Sequence, residues 1–160
     1  MPLQLITPPA IEPVTLEEAK AHLKVDTAYD DALITALIAA ARARAEWHTG
    51  RAFVTQGWTL WLDAWPCAIG VPLPPLQAVT SITAYALNDA ATVLDAATYQ
   101  VDTASARIAL KANASPPVNL RGVNAIAIAF TAGYGDAATN VPAPIRQAIL
   151  EILADLYTNR

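Results

Sequence analysis

The chain has 160 residues, 54% of them hydrophobic and 15% charged, with a formal net charge of −4. That length makes one domain, or one domain with a large insertion, and is enough to bury a real core. The ten Lys and Arg residues are spread singly from Lys20 to Arg160, which excludes a basic patch for tight nucleic-acid binding, and the lone Cys67 excludes an internal disulfide framework.

Read from its start, MPLQLITPPAIEP lacks a positively charged lead and a long apolar run, so it is not a signal peptide and reads as Pro-rich extended chain. Thr15 opens a short helix, TLEEAKAHLK, with Thr15 and Glu18 in capping-box spacing and Leu16, Ala19 and Leu23 as its apolar stripe. Residues 25–29 turn into a longer helix, with Asp26 or Thr27 as its cap. This second helix runs through DDALITALIAAARARAEWHTGR. Leu33, Ile34, Leu37, Ile38, Ala41, Ala45 and His48 share one face at the helical period, Asp30 and Asp31 suit the positive end, and Gly50 suits the C-cap. Its alanines make a small-residue face that another helix can approach closely, in the same chain or in another subunit. Residues 15–50 thus predict a helical hairpin.

From Phe53 the period falls to 2, and residues 53–134 read as a β-rich insertion. In TQGWTLWLDAW, Trp58, Leu60 and Leu62 alternate with Thr59 and Trp61. IGVPLPPL is an edge or an extended link because of its prolines. VTSITAYAL is the next strand, residues 88–91 a turn, and short strands follow near 99–102 and 107–110. NAIAIAF is a clear strand, with Ile126, Ile128 and Phe130 on one face. About six short strands predict a small antiparallel sandwich or barrel between helical ends, an α+β fold. The uncharged stretch 64–88 is broken by Pro66, Pro72, Pro74 and Pro75 and is not a membrane helix. After the loop TAGYGDAATNVPAP, Pro144 opens a last helix over 144–158, with Ile145, Ile149, Ile152, Leu153, Leu156 and Tyr157 as its stripe.

Chemistry-bearing patterns are sparse. The three serines, Ser81, Ser105 and Ser115, lie in no nucleophile-elbow pattern. His22 reads as a surface residue and His48 as part of a helix end, and no His, Cys or carboxylate group has metal-ligand spacing. Cys67 reads as a small buried apolar group. Asp30 and Asp31, adjacent on a helix, point about 100° apart and make no carboxylate pair. Gly133-Tyr134-Gly135 reads as a tight turn without a phosphate-loop pattern. No enzyme, cofactor or metal is therefore expected. Trp58, Trp61 and Trp65 crowd together without basic neighbours, which favours packing over a stacking platform for single-stranded nucleic acid. Trp61, of opposite parity to Trp58, is the one expected to be exposed or at an interface. Low charge also points to surface buried between subunits, unless alanine merely inflates the apolar count.

Taken in order, VTLEEAKAHLKVD, DDALITALIAAARARAEWHTGRAF, LPPLQAVTSITAY, YQVD, NAIAIAFTAGYG and VPAPIRQAILEILADLYTNR resemble the phage head-tail connector (adaptor) proteins, in particular the longer group of prophages and gene transfer agents. The resemblance implies a structural protein of the particle's head-tail junction, made in the cytoplasm of the bacterial host. It implies a ring, dodecameric in the family, that sits under the portal protein, extends the DNA channel and offers a platform to a stopper or tail-completion protein. DNA would pass without specific binding, no membrane is involved, and the free protein could be a monomer. The same resemblance assigns portal docking to Ile145, Ile149, Ile152, Leu153, Leu156 and Tyr157, with Arg146 and Arg160 at the rim; core packing against the long helix is the alternative and is favoured for Ile149 and Leu153, and many relatives continue beyond the position of Arg160. It places the helical hairpin between subunits; the candidate contact residues are Ala36, Ala40, Ala43 and Trp47 of the long helix and Trp61 of the first predicted strand. The competing readings are another tail-completion role, a small hydrolase built on the β insertion, which would need a polar constellation the sequence does not show, and a nucleic-acid-binding module built on the tryptophans.

Overall fold

The structure is a computed structural model that describes residues 2–159. The chain forms two compact units interleaved in sequence: a helical one from Pro9–Thr55 and the segment from Tyr134 onward, and a β one from the residues up to Pro8 and Gln56–Gly133.

In the helical unit, α1 (Leu16–Leu23) begins at the capping box read from the sequence. The Thr15 hydroxyl accepts from the Glu18 N–H at 3.1 Å, and the Glu18 carboxylate accepts from the Thr15 N–H at 2.9 Å. Lys24, at φ 57°, ends the helix in the left-handed region. Helix α2 (Asp31–Thr49) has Asp30 as its N-cap, without a side-chain cap bond, so neither Asp26 nor Thr27 caps it. It stops at Gly50, whose φ of 63° needs no strain in glycine. Helix α3 (Ala143–Thr158) starts one residue before Pro144, which sits in the first turn where its missing N–H costs nothing.

Ile34, Ile38, Ala41 and Ala45 of α2 bury against Ile149 and Leu153 of α3, with Val14, Ala19, Phe53, Val54 and Val141 around them. Each of the large aliphatic side chains contributes about 1.5–3 kcal/mol as an upper estimate. Leu33 and His48 are exposed, against the sequence expectation. The buried stripe of α2 is narrower than the apolar pattern, because alanine fills the core positions at 41 and 45 and lets α3 close on that side.

The β unit holds β1 (Leu3–Thr7), β2 (Gln56–Leu62), β3 (Ile69–Gly70), β4 (Leu76–Tyr85), β5 (Ala91–Val93), β6 (Tyr99–Asp102), β7 (Arg107–Leu110) and β8 (Ile126–Ala132). They form two antiparallel sheets, β1-β2-β8-β4-β5 and β3-β7-β6. The mixed α+β class with a small antiparallel β insertion is the one expected, but with eight strands instead of about six. Strand β1 was hidden in a stretch that reads as Pro-rich, and β5 is too short to show a period. In the five-stranded sheet, cross-strand rows such as Leu3–Leu60–Ile128–Ile82 and Leu62–Ile126–Ala84–Thr92 carry the core side. Leu60, Ile82, Ile126 and Ile128 on those rows, and Phe130 on the row of Trp58, are fully buried. Thr59, Trp61, Thr83 and Tyr85 occupy the other side by the alternation of the pleat.

Candidate functional site

Among the described residues no group of three or more His, Cys, Asp or Glu side chains is placed to hold a metal ion. His22 and His48 are exposed on α1 and α2, and neither lines the clefts at 84–120, 99–111 or 11–138. Cys67 is exposed, not buried as expected, because the Pro66 neighbourhood lies in a loop between β2 and β3. Among the described residues no helix is long and apolar enough to cross a membrane.

What the sequence does assemble is surface. The alanines expected at a subunit contact, Ala36, Ala40 and Ala43, are all exposed on α2, and Trp47 is 85% exposed. Leu33, wrongly placed in the core by pattern alone, joins them. The spacing 33, 36, 40, 43, 47 follows alternate steps of three and four, so these side chains form one seam along α2, on the side away from Ile34 and Ile38. Tyr29, 94% exposed, precedes the seam. Tyr29 and Trp47 are thus large aromatic side chains left open on a well-packed unit.

The residues behind the seam are held rigidly. Arg42 donates to Glu12 at 2.7 Å and to Glu46 at 2.6 Å, and the other oxygen of Glu46 accepts from the Phe53 N–H at 2.9 Å. Burial pulls the guanidinium pKa down, but the two carboxylates outweigh it and hold the value above the ordinary arginine range. The Arg42 network therefore stays charged and locks α2 to the chain before α1.

The residues assigned to portal docking fall into three groups. Ile149 and Leu153 have no exposed surface and belong to the core, so neither can touch a partner while α3 stays packed. Ile145, Ile152, Leu156 and Tyr157 are half-buried and pack against that core, leaving an edge of each outside. Arg146 is turned inward: its Nε donates to the Pro13 carbonyl at 2.9 Å, and its guanidinium pairs with Glu18. Glu18 is thereby held below the ordinary carboxylate range, chiefly by the Thr15 N–H and, against a burial cost, by Arg146. Arg160 lies outside the described residues.

The tryptophans do not form a platform. Trp58 stands in the row with Phe130 on the core side, and the indole N–H groups of Trp58 and Trp65 are both enclosed. Trp61 is half-buried on the outer side, its ring 6.0 Å from that of Tyr85 and its Nε1 3.4 Å from Gln4 Oε1. Arg121 completes the stack, 4.2 Å over the Tyr85 ring. Sequence reading missed Leu33, Leu5, Ile6 and Val93 as exposed apolar residues; for Leu33 the seam spacing was the available signal.

A comparison with curated proteins returned no match. Among solved structures, the chain is similar to a chain in the neck of an empty gene transfer agent (GTA) particle computed with C6 symmetry, with TM-score 0.85 and 27% identity over 99% of this chain and 84% of that one. It is also similar to a chain in the neck of a native GTA particle computed with C12 symmetry, with TM-score 0.83, 26% identity and the same coverages. A third likeness is to a chain of the virion of a native GTA particle, with TM-score 0.82 and 25% identity, again over 99% and 84%. Residues 13–115, which hold α1, α2 and strands β2 to β7, match the family model for phage gp6-like head-tail connector proteins, and the chain belongs to that family.

Proposed function

We propose that the chain is a structural, non-enzymatic head-tail connector of a gene transfer agent or related phage-like particle, where copies form a ring in the neck beneath the portal protein. The observation that carries this reading is the likeness over 99% of the chain to a protein of a particle neck computed with C12 symmetry. A dodecameric ring extends the DNA channel and gives a stopper or tail-completion protein its platform. The net charge of −4 suits a channel that DNA passes without being gripped.

A cyclic ring needs a heterologous contact, in which one face of a subunit meets a different face of the next. The seam Leu33, Ala36, Ala40, Ala43 and Trp47 supplies one such face: small residues admit a close neighbour and Trp47 supplies the anchor. The exposed edges of Ile145, Ile152, Leu156 and Tyr157 supply the portal-facing surface on α3. The free protein is a monomer or a ring according to how much of this contact the portal must organise.

The test is the mass of the purified chain with and without its cognate portal, by light scattering, followed by electron microscopy of the mixture. A ring, alone or on the portal, is the expected result. A monomer that ignores the portal at all concentrations overturns the reading.

A further inference from the structure

The five-stranded sheet ends in two open strands, β1 and β5, and the two match each other. Neither LQLIT nor ATV carries a charge, although charged residues are a usual means of blunting an exposed edge. Leu5 is 44% exposed, Ile6 is exposed beside it, and Val93 is 65% exposed on β5. Next to β5 lies a cleft of about 600 Å³ whose lining includes Ala84, Thr92, Leu94, Leu120 and the exposed Val118.

Hydrogen-bond phase decides how such edges can join. Leu94 N–H donates to the Ile82 carbonyl at 2.8 Å and Ala86 N–H to the Ala90 carbonyl at 3.0 Å. The main-chain groups of Ala90, Thr92 and Leu94 thus point to β4, and those of Ala91 and Val93 point off the edge. On β1, Trp61 N–H donates to the Pro2 carbonyl at 3.0 Å. Pro2 and Gln4 point to β2, and Leu3 and Leu5 point off the edge.

Five strands in alternating directions leave β1 and β5 running the same way. A rotation about a ring axis that continues the sheet therefore sets β1 of one copy parallel to β5 of the next. In a parallel pair a residue bonds to the two neighbours of the residue it faces, so Leu5 bonds to Ala91 and Val93 and faces Thr92. The pleat agrees. Leu5 pairs with Trp58 in the row of Phe130, and Thr92 pairs with Ala84 in the row of Ile126, both on the core side. The Leu5 side chain is then delivered beside Thr92, at the cleft. An antiparallel join would set Leu5 opposite Ala91 or Val93, which share the other side with Tyr85 and Thr83, and would exchange the two sides of the sheet at every joint.

We infer that in the ring β1 of each copy pairs in parallel with β5 of its neighbour, Leu5 against Thr92, so that the sheets are joined edge to edge. The inference rests on the ring of the proposed function and names a contact distinct from the α2 seam.

The test is Leu5→Cys with Thr92→Cys in a Cys67→Ser background, oxidised in rings of the full chain, alone or on the portal. Neighbouring strands lie about 4.8 Å apart, within the range of about 4.4–6.8 Å between Cα atoms that a disulfide spans. The expected result is a non-reducing ladder of covalent multimers, with each single-cysteine variant remaining monomeric on the gel. Rings that form without cross-linking overturn the edge join and leave the connector reading standing. Covalent dimers from Thr92→Cys alone also overturn it, since they show a two-fold contact of β5 with itself. If the cysteine-free parent makes no ring under either condition, the connector reading fails and this contact with it. As a second variant, Val93→Pro deletes an outward N–H while leaving the bonds to β4. It is expected to weaken ring formation more than tenfold with an unchanged melting curve, and unaltered rings overturn the join.

Discussion

The Tyr157 hydroxyl donates to Asp30 Oδ2 at 2.5 Å, so the last full turn of α3 is tied to the N-cap of α2, two positions 127 residues apart in sequence. The bond is charge-assisted and part-buried, which makes it stronger than an exposed polar contact. It also gives Asp30, which makes no side-chain cap bond to its own helix, a partner elsewhere in the fold.

Tyr157→Phe should therefore lower stability by about 1.5–3 kcal/mol, the usual worth of a hydrogen bond to a charged group. The ring of Phe keeps the packing against the core, so portal docking of the folded protein should be unchanged. A urea titration reads the first effect and a portal pull-down the second. Loss of docking at full stability would show that the hydroxyl itself faces the partner.

Glu18 gives the pH dependence a sign. Its carboxylate is held below the ordinary glutamate value of 4.5, first by the Thr15 N–H, with burial opposing and Arg146 adding to the shift. A lowered folded-state value means the unfolded chain takes up the proton first. The contribution is thus complete above about pH 5 and is lost as the pH falls through 4.5 and below, towards the folded-state value. Glu18→Gln should be less stable than the parent at pH 7 and approach it as the pH falls below the ordinary glutamate value, with urea midpoints as the readout. A constant gap between the two across that range would deny the linkage.

Much of the helical unit was legible in the sequence because its signals are local. Thr15 and Glu18 announce a capping box by spacing alone, and Gly50 announces the end of α2. The strands at 56–62, 76–85, 99–102, 107–110 and 126–132 showed through alternation or turn punctuation. What failed was non-local. Leu3–Thr7 is a strand only because β2 offers it an edge across more than fifty residues of chain. Leu33 and Leu37 look equally apolar in sequence, but only Leu37 packs against the core, half-buried, while Leu33 is exposed. The inward turn of Arg146 towards Glu18 and Pro13 is likewise a tertiary fact that composition cannot carry.

Gly135 is a loop position where a side chain has no room. It sits at φ 150°, and a Cβ there would lie 2.6 Å from Asn140 Oδ1, the same oxygen that accepts the Ala137 N–H at 2.9 Å. Gly135 also gives its carbonyl to the Thr55 N–H at 3.1 Å. Gly135→Ala should cost about 1–3 kcal/mol through strain and displacement of Asn140, measured as a lowered melting temperature. Asn140→Ala should lose only the Ala137 bond, about 1 kcal/mol. Equal losses in the two variants would mean that the backbone at 135 carries no strain of its own.

Trp47 separates folding from assembly more cleanly than any other residue of the α2 seam. With 85% of its surface open it contributes little to the isolated unit, so Trp47→Ala should change stability by no more than about 0.5 kcal/mol. A buried aromatic anchor at an interface commonly costs about 2 kcal/mol or more when truncated, which is roughly a 30-fold loss in association per contact. The expectation is a chain with the parent's melting curve that no longer forms rings at concentrations where the parent does. Ala40→Glu, in the middle of the same seam, should act alike by setting a charge where a neighbour must approach closely. Light scattering across a concentration series reads both. Ring formation unaffected by either variant would remove the seam from the subunit contact and leave the sheet edges to carry it.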